Sequence, residues 1–599
     1  MSSKFTDYNI DPTGYAAFDA TSLKSLILDR LKEQGVFTDQ VFEGSNLSSI
    51  IDIVAYSYHT LMFYLNRTAS ETMFSDTQLY ENMNRVVKLL NYKPVGYQTS
   101  VVSFESSISA DLDIGTYVLP RYSSVNADGI PYVLNKDIIF TKPTVNETNL
   151  KDVNGNFLLY QGEVVEYPRH TASGNASETV VLSVDPRAVR IDHFSIGVYV
   201  KSSSGISEYN EVDSLYTESP GSLSYELRLN ENYRYEIQFG DNINGRRLES
   251  GDVVYIYYIK SLGTPGIIPA EKLNTSKITL HTTPQFNDIK ESIYSPTDQL
   301  LDFQTVEYLS VTNPVGSTTP KDPETVEEIR RRAPKYFQSQ DRLITTDDFT
   351  THVKRYYGNI INDVITVNNK TYLNGHIKYL HEDIGISNPT LESRVLYNQS
   401  KFSTSTNFNN VYLYVVPRVS KKTSINIQAN FVPSSQKEII KTNLDPKKAI
   451  GLDITFMDPV YMAVDIGTGS STITASTPSE CSLEITKSDD SVNAIASIKK
   501  SVTDIMFEYF KLENCSLGQL IDVDALESSI LSIDGVSKIR TVNNTTGEST
   551  NGLSLIVWNP VYEGQDIQRY NQNIQLPYYK FPYYYDELSL LSRINVVTD

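Results

Sequence analysis

His376, His381, Glu382 and Asp383 form the one local cluster in this chain with the residue types of a metal site. Imidazoles and carboxylates hold zinc when two histidines stand four apart on a helix, or in finger spacing. This cluster meets neither pattern, so a solvated loop is expected there. The acid pairs Asp347-Asp348 and Asp489-Asp490 have the chemistry of a glycosidase. Such catalysis needs two carboxyls at a defined separation across a sugar, and Asp347-Asp348 already fits a helix cap. The glycines of Phe239-Gly240-Asp241 and Asn244-Gly245-Arg246 invite a phosphate cradle, but no helix start follows them. Asp465 to Gly469, DIGTG, lies between strand-like runs and reads as a turn. No G-x-S-x-G elbow, P-loop or paired CxxC occurs. No enzymatic activity, cofactor or metal is expected.

The bulk numbers narrow the classes further. The 599 residues carry 52 Lys and Arg against 72 Asp and Glu, a net charge of −20, which argues against a phosphate-binding surface. The tightest basic cluster, Arg330 to Arg332, follows acids on its own helix. Nucleic acid is therefore not an expected partner. The start, MSSKFTDYNIDPTGY, lacks the plan of a signal peptide, and no apolar run is long enough for a membrane. Two cysteines, Cys481 and Cys515, are too few for a disulfide framework and are expected as buried thiols. The 41 tyrosines against a single tryptophan fit either assembly surfaces or a Tyr-rich β domain.

Periodicity predicts an α+β multidomain chain with an N-terminal helical segment, a central β-rich domain, C-terminal mixed α/β domains and an extended tail. The expected divisions are 1–96, 97–300, 301–420, 421–557 and 558–599. A short helix places Leu23, Leu26, Ile27 and Leu31 on one face after Thr21. A long one runs from Ser45 to about Met73, with apolar residues at three- and four-residue steps. A third, from Asp76, turns Leu79, Met83, Val86, Val87 and Leu90 inward. These helices form either a self-contained bundle or a seam for helices of other chains. In the β region, Gln161-Gly162 separates two strands, Asn244-Gly245 is expected as a hairpin turn, and Gly251 sits in a second turn. Beyond residue 300, one helix is expected to open at Asp322 with Pro323 inside it, and Thr325 with Glu328 has capping-box spacing. After a polar joint, Gln338 to Asp341, Thr345 and Asp348 open another helix that Gly358 closes in a left-handed turn. "DVITVNN", "VYLYVVPR" and "TSINIQANFVP" read as strands. Then come two strands around Asp458-Pro459 and a helix carrying Val492, Ile495, Ile498, Val502, Ile505, Tyr509 and Phe510. A shorter helix follows, with Asp524 and Glu527 as a cap pair and Gly535 as its stop. Pro577 and Pro582 oppose helix in the tail, which is expected to lie along another surface.

The segments 156–167, 235–266, 313–359 and 449–542 agree in kind and order with the baseplate J-like proteins of contractile phage tails. With the helical start and the ending "LPYYKFPYYYDE", the chain most resembles the T4-type baseplate wedge family (gene product six). The resemblance implies a structural arm whose N-terminal helices bundle with other wedge proteins. It also implies homodimer contacts after about residue 300 and a ring of copies around the hub, next to hub or sheath-initiator proteins. That ring passes the baseplate switch to sheath contraction. The location implied is the virion tail baseplate, assembled in the host bacterial cytoplasm. Periodicity assigns the bundle seam to Leu47, Ile50, Val54, Leu61 and Leu65. The tail tyrosines Tyr578, Tyr579, Tyr583, Tyr584 and Tyr585 are a candidate contact surface. The competing reading is a receptor-binding tail protein that recognises or cleaves host glycans.

Overall fold

The structure is a computed structural model that describes residues 20–34, 45–108, 115–142, 151–152, 158–185, 188–274, 276–294, 299–300, 309–372, 374–375, 409–419, 431–468, 480–488, 494–560, 568–570 and 572–598. The 376–383 cluster, Asp489-Asp490, Val492, Gly469 and nearly all of "TSINIQANFVP" lie outside them. Among the described residues the longer helices are α1 (Ala20–Gln34), α2 (Asn46–Glu71), α3 (Tyr80–Lys88), α4 (Pro284–Ile293), α5 (Val326–Ser339), α6 (Thr346–Tyr356), α7 (Ser434–Leu444), α8 (Ile495–Tyr509) and α9 (Val523–Leu531). The chain divides into two compact units. One comprises Met1–Pro94 with Asn230–Asn232 and Glu324–Pro334, and the other holds the remainder.

The first unit is helical. The helix starts where the sequence places it, and Ser45 caps α2, its side chain accepting from the Ser48 amide. At 26 residues α2 is about 39 Å long. Met83 and Val87 of α3 are fully buried, whereas Leu79 is exposed. Glu324–Pro334 supplies the start of α5. There Thr325 and Glu328 form a reciprocal capping box. The helix begins at Val326, so Asp322 and Pro323 precede it and do not open it. Pro334 lies inside α5, which forgoes one backbone hydrogen bond at that position.

The second unit is α+β. A five-stranded sheet contains Val101–Ser103, Leu158–Gln161, Ile130–Val133, Ser124–Ala127 and Ile278–Thr279, and a nine-stranded sheet is built around Val253–Ser261. Helix α4 packs Phe286 and Ile289 into a tyrosine-rich core with Tyr122, Tyr199, Tyr255 and Tyr257. A β-domain core is thus one use of the abundant tyrosine. Strands Ile361–Asn368, Asn410–Pro417 and Asp453–Met457 form a three-stranded sheet, and its core takes in residues of α6 and α7. The C-terminal part has two four-stranded sheets and buries α8, α9, Cys481 and Cys515 in one core.

A four-residue segment, Gln98 to Val101, ties this unit together. It is almost fully buried, so its polar backbone needs protein partners. Gln98 exchanges backbone bonds with Lys321, and the Thr99 amide donates to Asp192. The Thr99 hydroxyl meets the Gln161 carbonyl and the Ser261 hydroxyl, and Asn359 donates to the Thr99 carbonyl. The Ser100 carbonyl accepts from the Gln161 amide and the Ser100 hydroxyl donates to the Thr318 carbonyl, while Val101 bonds Thr318 through both backbone groups. Partners from five distant stretches therefore converge on four residues.

Several local expectations change in the fold. The strands flanking Asn244-Gly245, Tyr235–Phe239 and Val253–Ser261, share a sheet but do not pair with each other. Asn244-Gly245 instead tightens a wide loop in which Asp241 accepts from the Ile243 and Asn244 amides. Helix α6 has the predicted Thr345–Asp348 capping box, but Gly358 is not left-handed. A side chain on Gly358 would press against Lys321 and Gln98, which accounts for glycine there. Asp522, not Asp524, caps α9, while Glu527 accepts from the Leu553 amide. Helix α8 spans 15 described residues, about four turns, because it starts at Ile495. The aromatic tail pairs with its own chain, strand Lys580–Tyr584 lying parallel to Val460–Ile466.

Gly162 is where the chain leaves one large sheet for the other. Its φ is +139°, and a Cβ there would stand 2.5 Å from the Lys260 carbonyl oxygen. Gly162→Ala should therefore cost about 3 kcal/mol or more in chemical denaturation. Gly205→Ala, at φ +129° with open space around it, should cost only the backbone strain, roughly 1–2 kcal/mol.

Burial raises the Asp192 carboxyl to about 6, against the Thr99 amide that favours its charge. A raised pKa means a contribution to stability that is whole below pH 3.8 and lost as pH rises through 6. Asp192→Asn keeps the acceptor for Thr99. The variant should gain roughly 2–3 kcal/mol on the native chain between pH 4 and 7, read from denaturation midpoints across that range.

Candidate assembly interface

The feature that stands out is α2. A helix in a folded domain normally shows one apolar stripe and one polar face. Here Ser48, Ile51 and Ala55 are buried, and α1 packs on this helix with Lys24 paired to Asp52 at 2.6 Å. Large apolar side chains also cover much of the remaining surface, among polar ones such as Asp52, Ser57 and Thr68. Ile50, Ile53, Val54, Tyr56, Tyr58, Leu61, Phe63, Tyr64 and Leu65 are all 50–68% exposed. They fall into two further stripes, one through Ile50, Val54, Tyr58, Leu61 and Leu65, the other through Ile53, Tyr56, Phe63 and Tyr64. Contiguous exposed apolar surface of this kind is what interaction sites present. Of the seam residues chosen by periodicity, Ile50, Val54, Leu61 and Leu65 lie on this open face, and Leu47 is half-buried. The second stripe was missed because Tyr and Phe at those positions read equally well as core.

The base of α2 is firmly held. The Glu71 carboxylate accepts from the Gln78 and Leu79 amides and from Asn82, and pairs with Arg67 at 3.0 Å. Burial would raise this carboxyl, but those donors outweigh it and hold it below its usual range. Arg330 donates to the Phe74 and Thr77 carbonyls just beyond the helix. Deeper in the unit, the Glu324 carboxylate accepts from the Tyr92 hydroxyl at 2.9 and 3.0 Å and from Arg332 Nη1 at 2.6 Å. Arg332 also reaches Glu328 at 3.2 Å. Glu324 and Arg332 are both buried, so each charge depends on the other. Two of the three consecutive arginines, Arg330 and Arg332, thus make contacts within this unit, while Arg331 is exposed.

The tail tyrosines sit elsewhere. Tyr579, Tyr583 and Tyr584 are buried in the C-terminal core, with the Tyr584 hydroxyl donating to Asp465 at 2.9 Å. Tyr578 and Tyr585 are half-buried against the same core. Strand pairing with Val460–Ile466 turns these rings inward, so they do not form the contact surface expected of them. Asp465, from the DIGTG stretch, is fully buried and also paired with Arg593 at 2.8 Å. Among the described residues, no group of three or more His, Cys, Asp or Glu is placed to hold a metal ion. No described helix is long and apolar enough to cross a membrane.

No family model matches the chain. A curated protein, the baseplate wedge protein gp6 of Enterobacteria phage T4, is 20% identical to it over 382 residues. The chain resembles a baseplate wedge protein. The match takes in 61% of this chain and 54% of gp6, so it spans about half the length of that relative. Two solved assemblies hold similar chains. One is the anti-feeding prophage baseplate, at 12% identity and TM-score 0.30, covering 93% of this chain and 90% of that one. The other is the TssK-TssF-TssG baseplate subcomplex of the type VI secretion system, at 8% identity and TM-score 0.26, covering 68% and 96%. At TM-scores this low neither adds to the comparison with gp6.

The buried pair makes a direct prediction. Glu324→Gln leaves the Arg332 charge without its closest partner and should destabilise the helical unit by about 3 kcal/mol. Calorimetry would show an earlier transition, while Glu327→Gln, on the exposed side of α5, should leave it unmoved.

Proposed function

We propose that this chain is a structural subunit of the baseplate wedge of a contractile tail, not an enzyme, and that α2 is where helices of other wedge proteins join it. The observation that carries this reading is a helix with two exposed apolar stripes beside its buried one, fixed at its base. Similarity to a curated wedge protein supports it. Partner helices laid along the two open stripes would complete a bundle of which this chain supplies α1 and α2.

The wider assembly follows the same reading. Copies pair through the region after about residue 300 and close a ring around the hub, next to hub or sheath-initiator proteins. The ring carries the baseplate switch to sheath contraction in the virion, after assembly in the host bacterial cytoplasm. The likeness to wedge proteins is the support for these roles.

The native mass of the chain, alone and co-expressed with the other wedge candidates of its genome, tests the proposal. A complex of fixed stoichiometry is expected. A stable trimer that ignores those proteins and binds host glycans would overturn it in favour of a receptor-binding role. Replacing Ile50, Val54 and Leu61 together with Asp should abolish partner capture. Because all three are exposed, the isolated variant should keep the melting behaviour of the native chain. Normal co-purification of the triple variant would remove α2 from the interface.

A further inference from the structure

The polar joint between α5 and α6 is held in an unusual backbone state. Gln340 and Asp341 are consecutive left-handed residues, with φ of +49° and +58°. Asp tolerates this region, but Gln carries the full steric penalty of its Cβ. Such strain persists only where surrounding contacts impose it. Here the contact is an ammonium. Lys447 Nζ sits 2.8 and 2.7 Å from the two Asp341 carboxylate oxygens. Just beyond, the Leu343 amide donates to the Lys447 carbonyl and the Ala449 amide donates to the Leu343 carbonyl.

A second acid waits beside the same ammonium. Asp213 Oδ2 lies 3.9 Å from Lys447 Nζ, and Asp213 Oδ1 accepts from the Tyr356 hydroxyl. Of the other groups around the joint, the Tyr356 ring lies 5.4 Å from Lys447 Nζ, a contact open to the ammonium beside either acid. His352, 3.8 Å from Asp341, is pushed down to about 3 by burial and by the charges of Lys447 and Arg355, so it stays neutral. Arg355 stacks on Tyr336 at 4.2 Å, and burial raises both Tyr336 and Tyr356, which remain protonated. Lys447 thus pairs with two carboxylates, closely with Asp341 in the joint and at 3.9 Å with Asp213 outside it.

We propose that residues 338–345 form a latched two-state joint. Lys447 seated on Asp341 keeps the joint left-handed and paired with residues 447–449. Transfer of the ammonium to Asp213 lets the joint relax and frees Leu343 from that pairing. An ion pair exchanging between two fixed partners is a bistable element, and small displacements can bias it. This inference goes beyond the wedge reading and stands without it.

Hydrogen exchange on the full chain tests the latch. Asp341→Asn should speed exchange of the Arg342, Leu343 and Ala449 amides about tenfold, leaving strand Ile361–Asn368 unchanged. Adding Gln340→Gly removes the strain and should bring those amides back to within about twofold of the native chain. Asp213→Asn, which removes the alternative seat, should leave them as slow as in the native chain or slower. The proposal is overturned if Asp341→Asn leaves the joint amides unchanged or speeds the strand equally. It also fails if Gln340→Gly gives no recovery, or if Asp213→Asn loosens the joint as Asp341→Asn does.

Discussion

The larger unit depends on the hydrogen-bonding needs of Gln98 to Val101. A buried peptide group without a partner costs more than a typical hydrogen bond contributes, so these residues can be buried only when all their partners arrive together. The partners come from Asp192, Gln161, Ser261, Thr318, Lys321 and Asn359, as much as 260 positions away. The β-rich and α/β parts of this unit are thereby closed around one short stretch. Its cores can then be apolar and tyrosine-rich without themselves specifying which strand meets which.

The helical unit solves the same problem with charge. Glu324 and Arg332 are far from the N-terminal helices in sequence, yet they share a buried site with Tyr92. Replacing such a pair with apolar residues need not cost stability, whereas breaking it does. The pair therefore acts mainly to define which segment packs there. That held base contrasts with the middle of α2, where Ile50, Ile53, Val54, Leu61 and Leu65 stay exposed.

What could be read from the sequence was local. The capping boxes at Thr325 and Thr345 and the main strands all depend on residues a few positions apart, and their spacing was enough, whereas the helix expected to stop at Gly535 already ends at Leu531. Asn244-Gly245 signalled a turn, but which strands pair around it is decided by distant chain. Gly358 looked like a helix stop, although its real constraint is the approach of Lys321 and Gln98. The tail tyrosines looked like surface because their strand partner lies some 120 residues earlier. On α2 the stripe was legible. Its exposure was not, since a core face and an uncovered face have the same periodicity.

A helix with this much exposed apolar surface also has a consequence for supply. Until something covers it, each newly made copy carries a sticky rod that attracts chaperones, proteases and other copies of itself. Copies produced in excess of their partners would be cleared or lost as aggregate. The surface proposed to join the assembly would then keep subunit numbers matched, with no separate regulator to count them.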